Sequence, residues 1–304
     1  MSSLINKDNL NDETIDLKIK QFMDMNKNID NIEIKPTKFK VSTHSAKAKL
    51  TLPINIEILS NIIYKNLTTF GNDTVNLPYF GITYNNLDIN LLKKKKYKKK
   101  KSKFFNCCSI IVKSIDNSNV NIKLFKNSSV TMTGCKTPDS GLVAIRLLVN
   151  EIKKYSEVSE SDITELDVDD YQITMINANY SIGYKIDANK LFSIVKNDYN
   201  LYVSYEPDRY QGVKISYIWN TLNKSKDGKC HCHDKECTGK GKNKDGLGLN
   251  RCKKVTIAVF KTGSIVITGA KMLDQTKDAY NFINSIIIKN SSKIIRFSLL
   301  DLMN

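Results

Sequence analysis

The chain contains no run of apolar residues as long as the roughly 18 or more that a bilayer-spanning helix requires, so no membrane span is expected. Its opening stretch, MSSLINKDNLNDETIDL, lacks the apolar core of a secretion signal. There is no Walker loop, no HExxH and no pair of carboxylates in a helical frame, so no enzymatic constellation stands out. Histidine is scarce, with three residues. Acidic groups are outnumbered, 31 against 47 basic ones, which leaves a formal net charge of +16. The seven cysteines are an odd number, and Cys230, Cys232, Cys237 and Cys252 crowd into one short stretch. That pattern argues for reduced thiols and a metal rather than for the disulfide framework of a secreted domain. The expectation is a soluble intracellular protein with no membrane partner and no catalytic role.

The 304 residues are 41% hydrophobic, enough for a sizeable core in one large domain or two ordinary ones. Nearly all of the positive charge is lysine. Such a surface suits a polyanion, with nucleic acid first, an anionic membrane second, and a merely solvated surface as the bland reading. Heavy use of Lys, Asn and Ile points to an AT-rich genome.

The main signal is an internal repeat. Residues 120–136, VNIKLFKNSSVTMTGCK, align without a gap on residues 255–271, VTIAVFKTGSIVITGAK. Val120 matches Val255, Ile122 matches Ile257, Phe125 matches Phe260, Thr133 matches Thr268, Gly134 matches Gly269 and Lys136 matches Lys271. Upstream, Tyr79-Phe80-Gly81-Ile82 is read as the counterpart of Tyr210-Gln211-Gly212-Val213. Two copies of one unit make a pseudo-symmetric domain.

Each copy alternates with strand period and predicts a β-hairpin. In the first, Val120, Ile122, Leu124, Val130 and Met132 take one face. Asn121, Lys123, Phe125, Ser129, Thr131 and Thr133 take the other. Helical spacing follows each hairpin: Leu142, Ile145, Leu148 and Ile152 after a start at Thr137-Pro138, then Ala279, Phe282, Ile283 and Ile286. Two further helices are expected ahead of the hairpins. One follows Pro53, with Ile56, Leu59 and Ile63 inward. The other follows Asp187, with Leu191, Ile194 and Val195 inward. Helices must cover the aliphatic face of the sheet, which leaves the other face to solvent or a ligand. The two phenylalanines on that open face are either ligand contacts or extra packing against a loop.

The stretch Ser204-Tyr205-Glu206-Pro207-Asp208-Arg209-Tyr210-Gln211-Gly212 resembles the SYEPELFPG element of TATA-box-binding proteins. Residues 259–271, VFKTGSIVITGAK, resemble their IFVSGKVVLTGAK, and Val41-Ser42-Thr43 resembles the VST of their first strand. The resemblance spans about residues 36–290, apart from two insertions. It implies an α+β fold, a TBP-like saddle of two pseudo-symmetric repeats, with a curved antiparallel sheet and helices on the convex face. It implies double-stranded AT-rich DNA as ligand, held in a widened minor groove and kinked by aromatic wedges. The carried-over wedges are Phe125 and Phe260, with Tyr79 or Phe80 and Tyr210 as partners. Thr133 and Thr268 match groove-facing threonines that meet the acceptors of A·T pairs. Val41, Lys123 and Lys214 complete the expected DNA-binding set. Glu206, Asp208 and Arg209 resemble a patch that contacts a transcription factor B-like protein, with RNA polymerase as the further partner; the bland reading is a solvated turn. The family's first-strand asparagine falls on Phe39, and in the second repeat Asn177 and Asn179 lie nearby. A large DNA virus or a protist is the expected source, with a viral factory, a virion or a nucleus as the site of action.

The domain reading is a tail over 1–34 with a short helix around Ile15 to Met25, repeat 1 over 35–155 with a lysine-rich insertion at 90–106, an acidic linker at 156–170, repeat 2 over 171–292 with a Cys/His insertion at 220–252, and a tail over 293–304. Both insertions are read as enlargements of the loop joining a repeat's second and third strands. The first holds KKKKYKKKK, residues 93–101, followed by Phe104 and Phe105. It is either a solubilising loop or a phosphate clamp that adds affinity and salt dependence without reading sequence. The second offers Cys230, Cys232, Cys237 and Cys252, with His231 and His233 as alternates, for one structural Zn²⁺; the alternative is a loose thiol-bearing loop. A protein-interaction platform on the same fold, with weak or no sequence-specific DNA binding, is the second functional reading.

Overall fold

The computed structural model describes residues 17, 20, 33–70, 77–92, 106–232, 237 and 244–296. The lysine run 93–101, Phe104, Phe105, His233, most of the expected tail helix and residues 297–304 lie outside the described residues. The chain divides into two compact units. One comprises Val41–Asn177 and Ala270–Met272; the other comprises Met1–Lys40, Ala178–Gly269 and Leu273–Asn304.

The first unit holds repeat 1. Its elements are β1 (Lys40–Leu50), α1 (Ile56–Phe70), β2 (Tyr79–Tyr84), β3 (Leu87–Asn90), β4 (Cys107–Lys113), β5 (Asn119–Phe125), β6 (Ser129–Cys135), α2 (Ser140–Ile152) and the start of β7 (Val168–Ser181). The sheet order is β3-β2-β4-β5-β6-β1-β7. Antiparallel register lines up one aliphatic rung, Ile82–Ile110–Ile122–Met132–Ala46, across five strands. All five side chains are buried. Helix α1 covers this face with Ile56, Leu59, Ile63 and Leu67, and α2 covers it with Ile145, Leu148 and Ile152. Each such side chain contributes about 1.5–3 kcal/mol by leaving water. The expected inward positions of both helices are buried, except Leu142 at the start of α2, which is only partly covered.

The second unit holds repeat 2: β8 (Lys185–Ile186), α3 (Ala188–Asn197), β9 (Val203–Glu206), β10 (Tyr210–Trp219), β11 (Lys253–Val259), β12 (Ser264–Ala270), α4 (Leu273–Lys289), α5 (Ser291–Ile294) and β13 (Ile295–Arg296). Its sheet runs β9-β10-β11-β12 and then the end of β7. The matching aliphatic rung is Ile215–Ile257–Ile267. Asp187 caps α3 by accepting from the Lys190 backbone N–H at 3.0 Å, as the start signal there implies. Leu191, Ile194 and Val195 of α3 and Ala279, Ile283 and Ile286 of α4 are buried. The segment read as a C-terminal tail begins with ordered structure, since β13 pairs Ile295 with Ile186 of β8.

Strand order corrects two points of the sequence reading. The strand beside β11 is β10, and the strand beside β5 is β4, not β2. Cys107–Lys113 is therefore the counterpart of β10, and Tyr79–Tyr84 takes the place of β9. The short likeness of YFGI to YQGV misled, because pairing depends on distant partners that a four-residue motif does not encode. The insertions are also not equivalent. The first lies between β3 and β4. The second lies between β10 and β11, whereas β9 and β10 are joined by a tight turn closed by Arg209 N–H donating to the Glu206 carbonyl at 3.0 Å. The acidic stretch 156–170 packs inward through Val158, Ile163 and Leu166 while its carboxylates face water.

Candidate nucleic-acid interface and candidate metal centre

The face of each sheet opposite the helices is the candidate interface. In repeat 1, Val120, Ile122, Leu124, Val130 and Met132 are buried beneath the helices. Lys123, Thr131 and Thr133 are exposed on the other face, and Asn121, Phe125 and Ser129 are half-buried there. This is the division that the alternation implied. Asn121 accepts from the Ser109 hydroxyl at 2.7 Å and stands across from Thr133. In repeat 2, Phe260, Thr256, Val266 and Thr268 are half-buried, Lys214 is exposed and Ala258 is buried.

The two phenylalanines differ in their neighbours. Phe260 meets Tyr210 with ring centroids 5.6 Å apart and planes tilted by 57°. The Lys214 ammonium sits 4.0 Å from the centroid of the Tyr210 ring, a cation–π contact. Gly212 makes room for the pair: a Cβ there would lie 2.8 Å from the Tyr210 ring and 3.1 Å from the Phe260 ring. In repeat 1, Phe125 stands across from Cys107. Val213 pairs with Val259, which puts Gly212 one step on, level with Phe260. By that register Cys107 answers to Gly212, and the position answering to Tyr210 is Phe105, outside the described residues.

Tyr79 is a core residue and not a wedge. It is fully buried, and its hydroxyl accepts from the Asn66 side-chain amide at 2.8 Å. The same amide donates to Tyr155, whose hydroxyl donates to Glu151 at 3.2 Å. Burial pushes the Tyr79 hydroxyl well above its ordinary pKa, against the amide hydrogen bond. Phe80 is half-buried on β2, two strands removed from β5. Val41 is half-buried at the start of β1.

The position of the family's asparagine is taken up by packing. The Phe39 ring lies 5.4 Å from Tyr280 of α4, which in turn meets Tyr180 at 4.6 Å. The Asn177 amide donates to the Thr43 hydroxyl at 3.0 Å, and Asn179 is exposed. Glu206, Asp208 and Arg209 are all exposed in the β9–β10 turn, with Arg209 3.4 Å from Glu206. An ion pair so open to water contributes little, about 0–1 kcal/mol.

Cys230, Cys232, Cys237 and Cys252 come together although as many as 22 positions separate the first from the last. Their four sulfurs lie within 4.8 Å of one another. Cys252 Sγ is 3.5 Å from Cys230 Sγ and 3.4 Å from Cys232 Sγ. Tetrahedral zinc–thiolate bonds of about 2.3 Å separate sulfurs by roughly 3.8 Å, so this donor set fits a structural zinc ion with no open position. Burial raises the thiols of Cys230 and Cys252. His231 is engaged elsewhere, with Nε2 2.9 Å from an Asp227 carboxylate oxygen, and is not a fifth member of the cluster. The insertion is pinned to the repeat-2 unit. Gln275 of α4 donates to the Asp245 carbonyl, and the Arg251 guanidinium holds the Asp245 carboxylate with 3.0 and 2.6 Å contacts. Gly246, at φ +85°, packs where a Cβ would strike the Trp219 ring at 2.3 Å.

The family profile described as "Transcription factor TFIID (or TATA-binding protein, TBP)" matches residues 242–290. A "TATA-box-binding protein-like" protein of Acanthamoeba polyphaga mimivirus is 32% identical, covering 94% of this chain and 73% of its own length. The "Uncharacterized protein 335L" of Invertebrate iridescent virus 6 is 25% identical over 105 residues, 34% of this chain and 31% of its own. Among solved structures, the Methanococcus jannaschii TBP aligns with a TM-score of 0.42 at 15% identity, over 84% of this chain and 99% of that one. On the strength of the mimivirus relative, this chain belongs to the TATA-box-binding-protein-like family.

Proposed function

We propose that this chain is a TATA-box-binding-protein-like transcription initiation factor that binds AT-rich double-stranded DNA through the minor groove and bends it. The observation that carries the reading is the placement of Phe125 and Phe260. Phe125 ends β5 and Phe260 directly follows β11, the matching strand of the second repeat; both rings lie on the face that the helices leave open, and both are half-exposed. Apolar rings so placed can enter a base step, where unstacking costs a few kcal/mol and is offset by the contacts that bent DNA makes. Tyr210 works with Phe260, and Phe105 is the counterpart for Phe125. Thr133 and Thr268 donate hydroxyl hydrogen bonds to groove acceptors. The lysine run 93–101 supplies phosphate contacts without base reading.

The exposed Glu206, Asp208 and Arg209 are the proposed contact for a transcription factor B-like protein, through which RNA polymerase is recruited. One zinc ion held by Cys230, Cys232, Cys237 and Cys252 fixes the fold of the second insertion. The viral relatives fit action in a viral factory or a virion. A second reading, a platform for protein contacts with weak DNA selectivity, draws support from Phe39, whose ring is spent on Tyr280.

The test is energy transfer between dyes on the two ends of a bound AT-rich duplex. Wild type should bring the ends together. The double variant Phe125→Ala with Phe260→Ala should stay folded and leave the duplex straight. Equal transfer for both proteins would overturn the wedge assignment.

A further inference from the structure

Along the open face of each repeat, three kinds of side chain follow one another at two-residue spacing. Phe125 is followed inward by the rung Ser109–Lys123–Thr131, and then by Asn121–Thr133. Phe260 is followed by the rung Lys214–Ala258–Val266, and then by Ser216–Thr256–Thr268. At about 3.4 Å per residue, the lysine rung lies about 7 Å from the ring and about 7 Å from the threonine. The lysine has changed strands between repeats and kept its level. Where repeat 1 pairs Ser109 with Lys123, repeat 2 pairs Lys214 with Ala258. Both lysines are exposed, and neither has an ion-pair partner among the described residues. Lys47, further along the same rung in repeat 1, faces Asp170 at 3.5 Å and is thereby partly neutralised.

An ammonium group has three donors and no acceptor. In the minor groove an A·T pair presents only acceptors, adenine N3 and thymine O2, whereas a G·C pair adds the guanine amino donor. A lysine lying against the groove floor is therefore satisfied by A·T and opposed by the guanine amino group. We propose that Lys123 and Lys214 are the specificity-determining groups of this protein, one in each repeat, reading the acceptors of A·T pairs inside the kinked step. The proposal rests on the minor-groove reading given above. It supplies the base-directed hydrogen bonds at two positions that compensate for Phe39, which has no amide to offer. The cation–π contact with Tyr210 holds the Lys214 ammonium beside the wedge.

The experiment compares the affinity of the full chain for four duplexes that share one site length. These carry A·T pairs, 2,6-diaminopurine·T pairs, G·C pairs or inosine·C pairs at the site. Diaminopurine adds the minor-groove amino group to an A·T pair, and inosine removes it from a G·C pair, in each case without changing the major groove. Wild type should bind the two duplexes lacking the amino group about tenfold or more tightly than the two that carry it, the scale of one good base-directed contact. Lys123→Met with Lys214→Met keeps the aliphatic stems and should shrink that ratio to about twofold. Lys123→Arg with Lys214→Arg should restore it, because donors return. A methionine variant that weakens on all four duplexes by one factor, with the wild-type ratio intact, would make these lysines phosphate contacts and overturn the proposal. A wild type that distinguishes none of the four would instead overturn the minor-groove reading beneath it.

Discussion

Trp219, the chain's single tryptophan, donates its indole N–H to the Asp278 carboxylate at 2.8 Å. It thereby links the end of β10 to α4 at the point where the second insertion leaves the sheet. Asp278 also pairs with Lys226 of the insertion at 2.8 Å, and Gly246 of the insertion lies against the indole ring.

That arrangement makes Trp219 a reporter for the metal centre. Protein purified without a histidine tag should contain about one zinc per chain, as a single four-ligand site requires. Stripping the metal should loosen segments 220–232 and 244–252 and shift tryptophan emission to longer wavelength. Cys230→Ser with Cys252→Ser should show the shifted emission without chelator. A folded wild-type protein free of metal, with emission indifferent to added zinc, would refute the site.

A second prediction concerns the turn between β4 and β5. Asp116 accepts from the hydroxyls of Ser118 and Ser140, both at 2.5 Å, and from the Ser118 backbone N–H at 3.0 Å. Ser140 is the first residue of α2, so this turn ties β4 and β5 to the helix start. Although Asp116 is an exposed residue, the water its carboxyl loses in this turn would by itself raise the group, but these hydrogen bonds outweigh that and hold it at about 2, below the ordinary 3.8. A depressed folded pKa stabilises the fold above the unfolded value, and that stability is lost as pH falls through the folded value. Because Asp116 is exposed, solvent screening limits the contribution to about 1 kcal/mol. Asp116→Asn should therefore unfold at lower denaturant than wild type at pH 7. The gap should narrow below about pH 4 and vanish near pH 2. An equal gap at both ends of that range would show that shape, not charge, is what Asp116 provides.

The sequence was legible where information is local. Val120, Ile122 and Leu124 declare a buried strand face by alternation, and Asp187 declares a helix start by its own carboxylate. The four cysteines were legible as a set because their chemistry is shared. What was not legible depended on distant partners. Residues 79–84 and 107–113 both alternate, with Ile82 and Ile110 each buried, so neither pattern says which strand lies beside β5. Tyr79 looked like a wedge because nothing near it in sequence reveals that Asn66, Tyr155 and Glu151 will surround its hydroxyl. His231 looked like a ligand because its contact with Asp227 is set only by the folded turn. The β4 alternation of Cys108, Ile110 and Val112 was the signal that could have placed this strand beside β5.

The last prediction follows from Gly212. A methyl group there would come within 2.8 Å of the Tyr210 ring and 3.1 Å of the Phe260 ring, closer than carbon atoms pack. Aromatic rings do not compress, so Gly212→Ala must drive the pair apart or turn one ring away from the open face. Both rings are half-exposed, so their displacement sacrifices little buried area, and the cost to folding should stay near 1 kcal/mol. The effect on DNA should be larger, because two rings aimed as a unit become two rings aimed apart. The variant should unfold within a few degrees of wild type, as a cost of that size implies. It should bend an AT-rich duplex measurably less, read by energy transfer between end labels. Phe105→Ala should lower the bend by acting on the other repeat, and the two changes together should leave the duplex nearly straight. A Gly212→Ala protein that bends DNA as wild type does would show that the Tyr210–Phe260 geometry is a packing detail and that one ring of the pair suffices.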